Sequence, residues 1–174
     1  INKIPNSKLV LKSSLAHNDT VRRKIQKAFN RLETDLDRLT IVDASAQTIE
    51  GRDLHLRQYH EIDLALDTLP FNGATTTREA LWMNVPVLTL RGDRHVSRVG
   101  ASLLHRVGLD DLIAETPEDY VAKAIQFASE PELLTQARLN LRERLKASPL
   151  GDAQSFATEV ESAFANIWDR HVEN

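Results

Sequence analysis

Three consecutive threonines, Thr75, Thr76 and Thr77, follow an Asn72-Gly73 turn and lead into a helical pattern, Glu79-Ala80-Leu81-Trp82-Met83. A short apolar run, Leu64-Ala65-Leu66, enters the same stretch. A strand, a small-residue turn and a hydroxyl-rich helix start present free N–H groups and the positive end of a helix dipole, which suits an anion. The threonine hydroxyls add donors for phosphate oxygens. The same residues also fit an ordinary capped helix, because Thr is a common N-cap. Glu79 either accepts from sugar hydroxyls or complements the dipole of the first turn. Two other groups could do chemistry. Arg52 and His55 lie three apart, on one helix face. There a guanidinium would bind phosphate and an imidazole would stack on a base, unless both belong to a solvated charged helix. Arg91, Arg94, His95 and Arg98 surround Gly92 ahead of a helix, which suits a diphosphate or an exposed turn.

The elements that must position these groups alternate. Apolar runs predict strands over 8–12, 39–42, 62–66, 86–90 and 112–114, the fourth with Pro86 at its first position. Between them lie a helix from Asp19, capped by Asp19 or Thr20, and a short charged helix over 51–60. The threonine helix runs to about Asn84, and another covers 96–107 and stops at Gly108. Pro117 and Pro131 open two more helices, the second running to about Lys146. The Ser148-Pro149-Leu150-Gly151 stretch breaks the pattern. A last helix carries the stripe Phe156, Val160, Ala163, Phe164, Ile167 and Trp168. Alternating strands and helices imply an α/β fold, a Rossmann-like doubly wound parallel sheet ending in several helices. Ligands of such sheets bind at the carboxyl ends of the strands. The threonine motif, the His55 segment and the Arg91 turn all emerge there, so they are candidates for one cleft.

Bulk composition bounds the function. The 174 residues suit one domain with one sizeable core. A net charge of −3 argues against a nucleic-acid-binding face. There is no cysteine, which excludes disulfides and thiolate metal sites and fits a reducing cytoplasm. The histidines lack metal-ligand spacing: His55 and His60 are five apart, where a helical pair needs four. No apolar run approaches a membrane span of about 20 residues. Neither a Walker A sequence, a G-x-G-x-x-G motif nor a G-x-S-x-G elbow occurs. The first residue is Ile1 rather than Met, so upstream sequence is expected.

The run Leu66-Asp67-Thr68, then Asn72-Gly73-Ala74-Thr75-Thr76-Thr77-Arg78-Glu79-Ala80-Leu81-Trp82, Val85-Pro86-Val87-Leu88-Thr89-Leu90, Gly92 and Ser97-Arg98-Val99-Gly100-Ala101-Ser102 resembles the C-terminal catalytic lobe of the O-GlcNAc transferase family. The likeness is to its bacterial members and to the plant Spindly-type protein O-fucosyltransferases. It extends from Pro5-Asn6-Ser7-Lys8-Leu9-Val10 through Ser148-Pro149-Leu150 to Trp168.

The resemblance implies a GT-B architecture of two Rossmann-like lobes, preceded by tetratricopeptide repeats, with the nucleotide sugar in the C-terminal lobe. Residues 1–174 would be that single lobe. Thr75 and Thr76 match the threonine pair expected on the diphosphate, His55 the histidine beside the base, Arg52 a basic residue three before it, and Glu79 the acidic residue ending the motif. The expected substrate-binding set is Arg52, His55, Asn72, Gly73, Thr75, Thr76, Thr77, Glu79 and Arg98. Two positions depart from the pattern of members that use UDP-GlcNAc: Ala74 stands where many have His, and Thr77 where they have Gly. The donor is therefore open between UDP-GlcNAc and GDP-fucose, with no metal or other cofactor expected. A catalytic lysine and the general base are expected outside these residues, so the fragment alone is expected to be inactive. The expected partners are the nucleotide sugar and a protein acceptor held by the other lobe and the repeats, in the cytoplasm, with no nucleic acid and no membrane. The competing readings are a non-catalytic nucleotide-sugar-binding or interaction module, and a different GT-B enzyme such as an epimerase.

Overall fold

In the computed structural model, which describes residues 1–44 and 49–172 but not the side chains of 49–52, all strand pairing is parallel. The first strand, β1 (Leu9–Ser13), pairs with β2 (Leu39–Asp43), Leu9 opposite Leu39 and Ser13 opposite Asp43. Between them runs α1 (Asp19–Arg31). Its cap is Asn18, one residue before the expected Asp19 or Thr20: the Asn18 side chain accepts from the N–H groups of Thr20 and Val21. A second group of strands has the order β3 (Ala65–Leu66), β4 (Val87–Leu90), β5 (Ile113–Ala114). The right-handed logic of parallel crossovers places a helix between each pair. After β2 come α2 (Ile49–Arg57) and a 3-10 turn, Gln58–Glu61. Then α3 (Thr75–Trp82) joins β3 to β4, and α4 (Val99–Val107) joins β4 to β5. Four helices follow: α5 (Pro117–Ser129), α6 (Pro131–Arg138), α7 (Leu141–Ala147) and α8 (Ala153–Val172).

Every residue of β4 is buried. Successive strand side chains point to opposite faces, so both faces of β4 are covered, as a doubly wound sheet requires. Helices α3, α4 and α5 supply the cover. Leu81, Leu104 and Leu141 are fully buried, and with Val87, Ile113 and Phe127 they form the centre of the core.

Three expected elements come out differently. The strand predicted over 62–66 is only Ala65–Leu66. The 3-10 turn before it reaches Glu61, and the carbonyls of Ile62 and Asp63 accept from Arg138 Nη1 at 2.8 Å each, so a side chain replaces a ladder there. The helix predicted over 96–107 is split into a 3-10 turn, His95–Ser97, and α4. The Gly92 N–H donates to the Ser97 carbonyl at 2.8 Å, and this bond folds the turn back on itself. The helix predicted from Pro131 to Lys146 breaks at Asn140, which takes φ 58°, a left-handed conformation that Asn tolerates. Gly108 ends α4 at φ 71°, as expected of a glycine stop.

Candidate functional site

The loop from β3 to α3 is built on Asp67. This carboxylate sits at the carboxyl end of β3 and accepts from the N–H groups of Thr68 (2.9 Å) and Gly73 (2.7 Å) and from Thr89 Oγ1 (2.7 Å). Burial pushes its pKa up, and the three hydrogen bonds oppose that shift. Tyr120 donates to the Asp67 carbonyl at 2.9 Å. A Cβ on Gly100 would lie 2.3 Å from Asp67 Oδ2 and 2.4 Å from Thr89 Oγ1, so only glycine lets α4 start so close. Asn72 is a strut. It is almost fully buried, its Nδ2 donates to the Thr68 carbonyl, and its Oδ1 accepts from Gly100 N. Its own N–H reaches the Val96 carbonyl at 2.9 Å, which ties the loop to the turn that follows β4.

These constraints aim the start of α3 outward. Its N-cap is Ala74, which makes no side-chain cap, and no acidic residue sits in the first turn. The first N–H groups of an α-helix have no intrahelical acceptor. Thr75 and Thr76 are exposed beside them. The threonines thus lie one step inside the helix rather than at its cap. Thr77 differs from its neighbours: it is buried, and its hydroxyl donates to the Gly73 carbonyl at 2.9 Å. A Cβ on Gly73 would lie 2.4 Å from Thr76 Oγ1 and 3.0 Å from Thr77 Oγ1, so a larger residue there would push both hydroxyls aside.

His55 and Glu79 meet beside that helix start. His55 Nε2 is 2.9 Å from Glu79 Oε2, and both side chains are about three-quarters buried, with exposures of 24% and 27%. The Tyr59 ring stands edge-on to His55, 5.5 Å between centroids, and its hydroxyl donates to the Thr76 carbonyl at 3.3 Å. Burial, helped by the nearby Glu79 charge, pushes Tyr59 up to about 12, so it remains a neutral donor at physiological pH. From β1, Lys12 Nζ reaches His55 Nδ1 and Gln58 Oε1, each at 2.5 Å.

The expected residues therefore divide. His55, Gly73, Thr75, Thr76 and Glu79 converge; Asn72 and Thr77 hold the loop from inside. Arg52 falls within α2, and its side chain lies outside the described residues. Arg98 donates to the Gly92 carbonyl at 3.2 Å and lines a cavity of about 570 Å³ with Arg91, His95, Ser102 and His105. Arg91 is there paired with Glu115 at 3.4 Å. Lys12, Tyr59 and Asp67 lay outside the expected set. The sequence signal for Asp67 was its place at the end of a predicted strand before a turn; Lys12 and Tyr59 carried none. Among the described residues no cluster of three His, Cys, Asp or Glu could hold a metal ion.

A parallel α/β lobe with an uncapped, hydroxyl-bearing helix start at its strand ends is an arrangement that suits a phosphate group. The chain belongs to glycosyl transferase family 41, whose model matches residues 1–160. Over 173 residues it is 36% identical to a probable UDP-N-acetylglucosamine–peptide N-acetylglucosaminyltransferase SPINDLY of Solanum lycopersicum, covering 99% of this chain and 18% of the relative. It is 28% identical over 140 residues to the UDP-N-acetylglucosamine–peptide N-acetylglucosaminyltransferase of Caenorhabditis elegans, covering 80% of this chain and 12% of that one. Among solved structures, a point mutant of the Thermobaculum terrenum O-GlcNAc transferase superposes with a TM-score of 0.85 at 34% identity, over 94% of this chain and 31% of that chain. The chain thus spans under a fifth of the length of these curated relatives. The Rossmann-like GT-B lobe expected from the sequence is the fold observed.

Proposed function

We propose that this chain is the donor-binding lobe of an inverting glycosyltransferase that moves GlcNAc, or fucose, from a nucleotide sugar to Ser or Thr of proteins. One observation carries the reading: the start of α3 is uncapped and bears the exposed hydroxyls of Thr75 and Thr76, next to the His55–Glu79 pair. A diphosphate supplies the acceptors that this helix start lacks. As the acceptor oxygen bonds to the anomeric carbon and the sugar–phosphate bond breaks, negative charge grows on the leaving diphosphate. Fixed N–H and hydroxyl donors stabilise that charge at little reorganisation cost. In this reading Glu79 accepts from sugar hydroxyls with the oxygen that does not meet His55. The residue that takes the acceptor proton lies outside residues 1–174, so the lobe alone binds donor without transferring sugar. The parent enzyme is a two-lobe, repeat-bearing cytoplasmic protein in this proposal.

Calorimetric titration of the chain with UDP, GDP, UDP-GlcNAc and GDP-fucose tests it. Micromolar binding of one nucleotide series, abolished by combined Thr75→Ala and Thr76→Ala, is the expected result, and the preferred series identifies the donor. A folded chain that binds none of the four would replace this reading with a module for protein interaction. Sugar transfer by the 174 residues alone would overturn the assignment of the base to another part of the protein.

A further inference from the structure

Lys12 lies on β1, far in sequence from the threonine loop, yet its ammonium ends inside the candidate site. Nζ contacts Gln58 Oε1 and His55 Nδ1, and His55 Nε2 contacts Glu79 Oε2. An ammonium has donors and no acceptor, and a carboxylate has acceptors and no donor. The hydrogen-bond directions are therefore determined: Lys12 donates to Nδ1, which carries no proton, and Nε2–H donates to Glu79. Both ring nitrogens of His55 are satisfied by protein, and Tyr59 stands edge-on to the ring.

We propose that Lys12 is a positioning residue that holds His55 in its neutral Nε2–H tautomer, so that the ring offers a planar ligand only its face. This rests on the donor-lobe reading above. A face-only histidine stacks on any base, because every base has a π-face. His55 so held supports a uracil and a guanine nucleotide alike, and the choice between them is made by other groups. Burial pushes the Lys12 pKa down, and the nearby Glu79 carboxylate opposes that shift. Gln58 Oε1 accepts a second hydrogen bond from the same ammonium.

The tautomer is read directly from long-range ¹H–¹⁵N correlations of the His55 ring in the folded 174-residue chain, with no ligand present. The expected wild-type pattern is a protonated Nε2 and a bare Nδ1. A protonated Nδ1 in the wild type overturns the proposal without any variant. Lys12→Met keeps the aliphatic stem and removes the donors; it is expected to yield a mixture of tautomers, and Lys12→Arg to restore the single form. An unchanged single tautomer in Lys12→Met overturns the role of Lys12. In calorimetry, Lys12→Met is expected to weaken UDP and GDP by a similar factor, about tenfold, the size of one charge-assisted hydrogen bond. A change in the UDP-to-GDP ratio overturns the face-only assignment. Should the wild type show the expected tautomer and bind neither nucleotide, the donor-lobe reading fails and the positioning role toward a base falls with it, while the hydrogen-bond directions stand.

Discussion

Residues 1–44 and the segment from β3 to α7 follow the same sequence rules and end up packed very differently. In the first region only Ala16 and Thr34 are buried, and α1, strongly amphipathic, buries no residue completely. In the second, β4 is buried throughout and α4 buries Gly100, Ala101, Leu103, Leu104 and Val107. An apolar stripe specifies which face of a helix seeks cover; what covers it depends on the neighbours the fold supplies. The last helix repeats the lesson. Phe156, Phe164, Ile167 and Trp168 form the predicted stripe on α8, and all four are exposed. The candidate site lies where the sparse region meets the dense one. Lys12 comes from the first, Glu79 and the threonines from the second, and His55 stands between them.

The largest effect that would sharpen this contrast is in the dense region. Leu104→Ala should cost about 3 kcal/mol by denaturant unfolding, the usual loss for a fully buried leucine, whereas half-buried Leu11→Ala on β1 should cost under about 1.5 kcal/mol. Equal losses would break the comparison and show one uniform core. Next comes the crowded point beneath the loop. Gly100→Ala forces a Cβ against Asp67 and Thr89 and should cost about 2 kcal/mol, a typical overpacking penalty. Its affinity for nucleotide should fall too, because Asp67 holds the Gly73 N–H.

A smaller effect concerns pH. Burial raises the folded-state pKa of Asp67 above its ordinary 3.8, so the folded protein holds this proton more tightly than the unfolded chain. The associated stability is fully present below pH 3.8 and declines as pH rises through the folded-state value. Asp67→Asn should flatten that part of the stability–pH curve, as followed by denaturant midpoints from pH 3.5 upward; an identical slope in the variant would count against the assignment. The smallest effect is at the helix start. Ala74→Asp puts a carboxylate at the positive end of the α3 dipole and should raise stability by about 0.5 kcal/mol, while the same charge repels an incoming diphosphate. A variant that gains no stability would mean that the N-terminal N–H groups of α3 are already screened in solution.

Much of this arrangement was legible in order rather than in detail. The alternation of apolar runs and helical patterns announced the parallel α/β lobe, and Asn72-Gly73 followed by three threonines marked the turn into α3. The outward-facing pair among the three threonines was legible only through the family resemblance, which singled out Thr75 and Thr76, because the three side chains are chemically identical. The split follows from Ala74 being the cap and from the Gly73 carbonyl capturing Thr77. Asn72 read as a ligand contact because amides serve both purposes, yet its burial and two hydrogen bonds make it a strut. The strand over 62–66 was overestimated because Arg138, 76 residues beyond Ile62, takes the carbonyls that a ladder would use.

By itself the sequence determined the class of fold and the location of the glycine and threonine turn. These depend on local periodicity and on residue types whose backbone or donor chemistry acts over a few positions. The tertiary structure alone decided that Asp67 organises the loop, that Thr77 turns inward onto the Gly73 carbonyl, and that Lys12 reaches His55. The Lys12–His55 contact joins residues far apart in the chain and is fixed only when the strands take their register; the Asp67–Gly73 and Gly73–Thr77 bonds are local, but they need the loop conformation that Asn72 holds against Gly100 of α4.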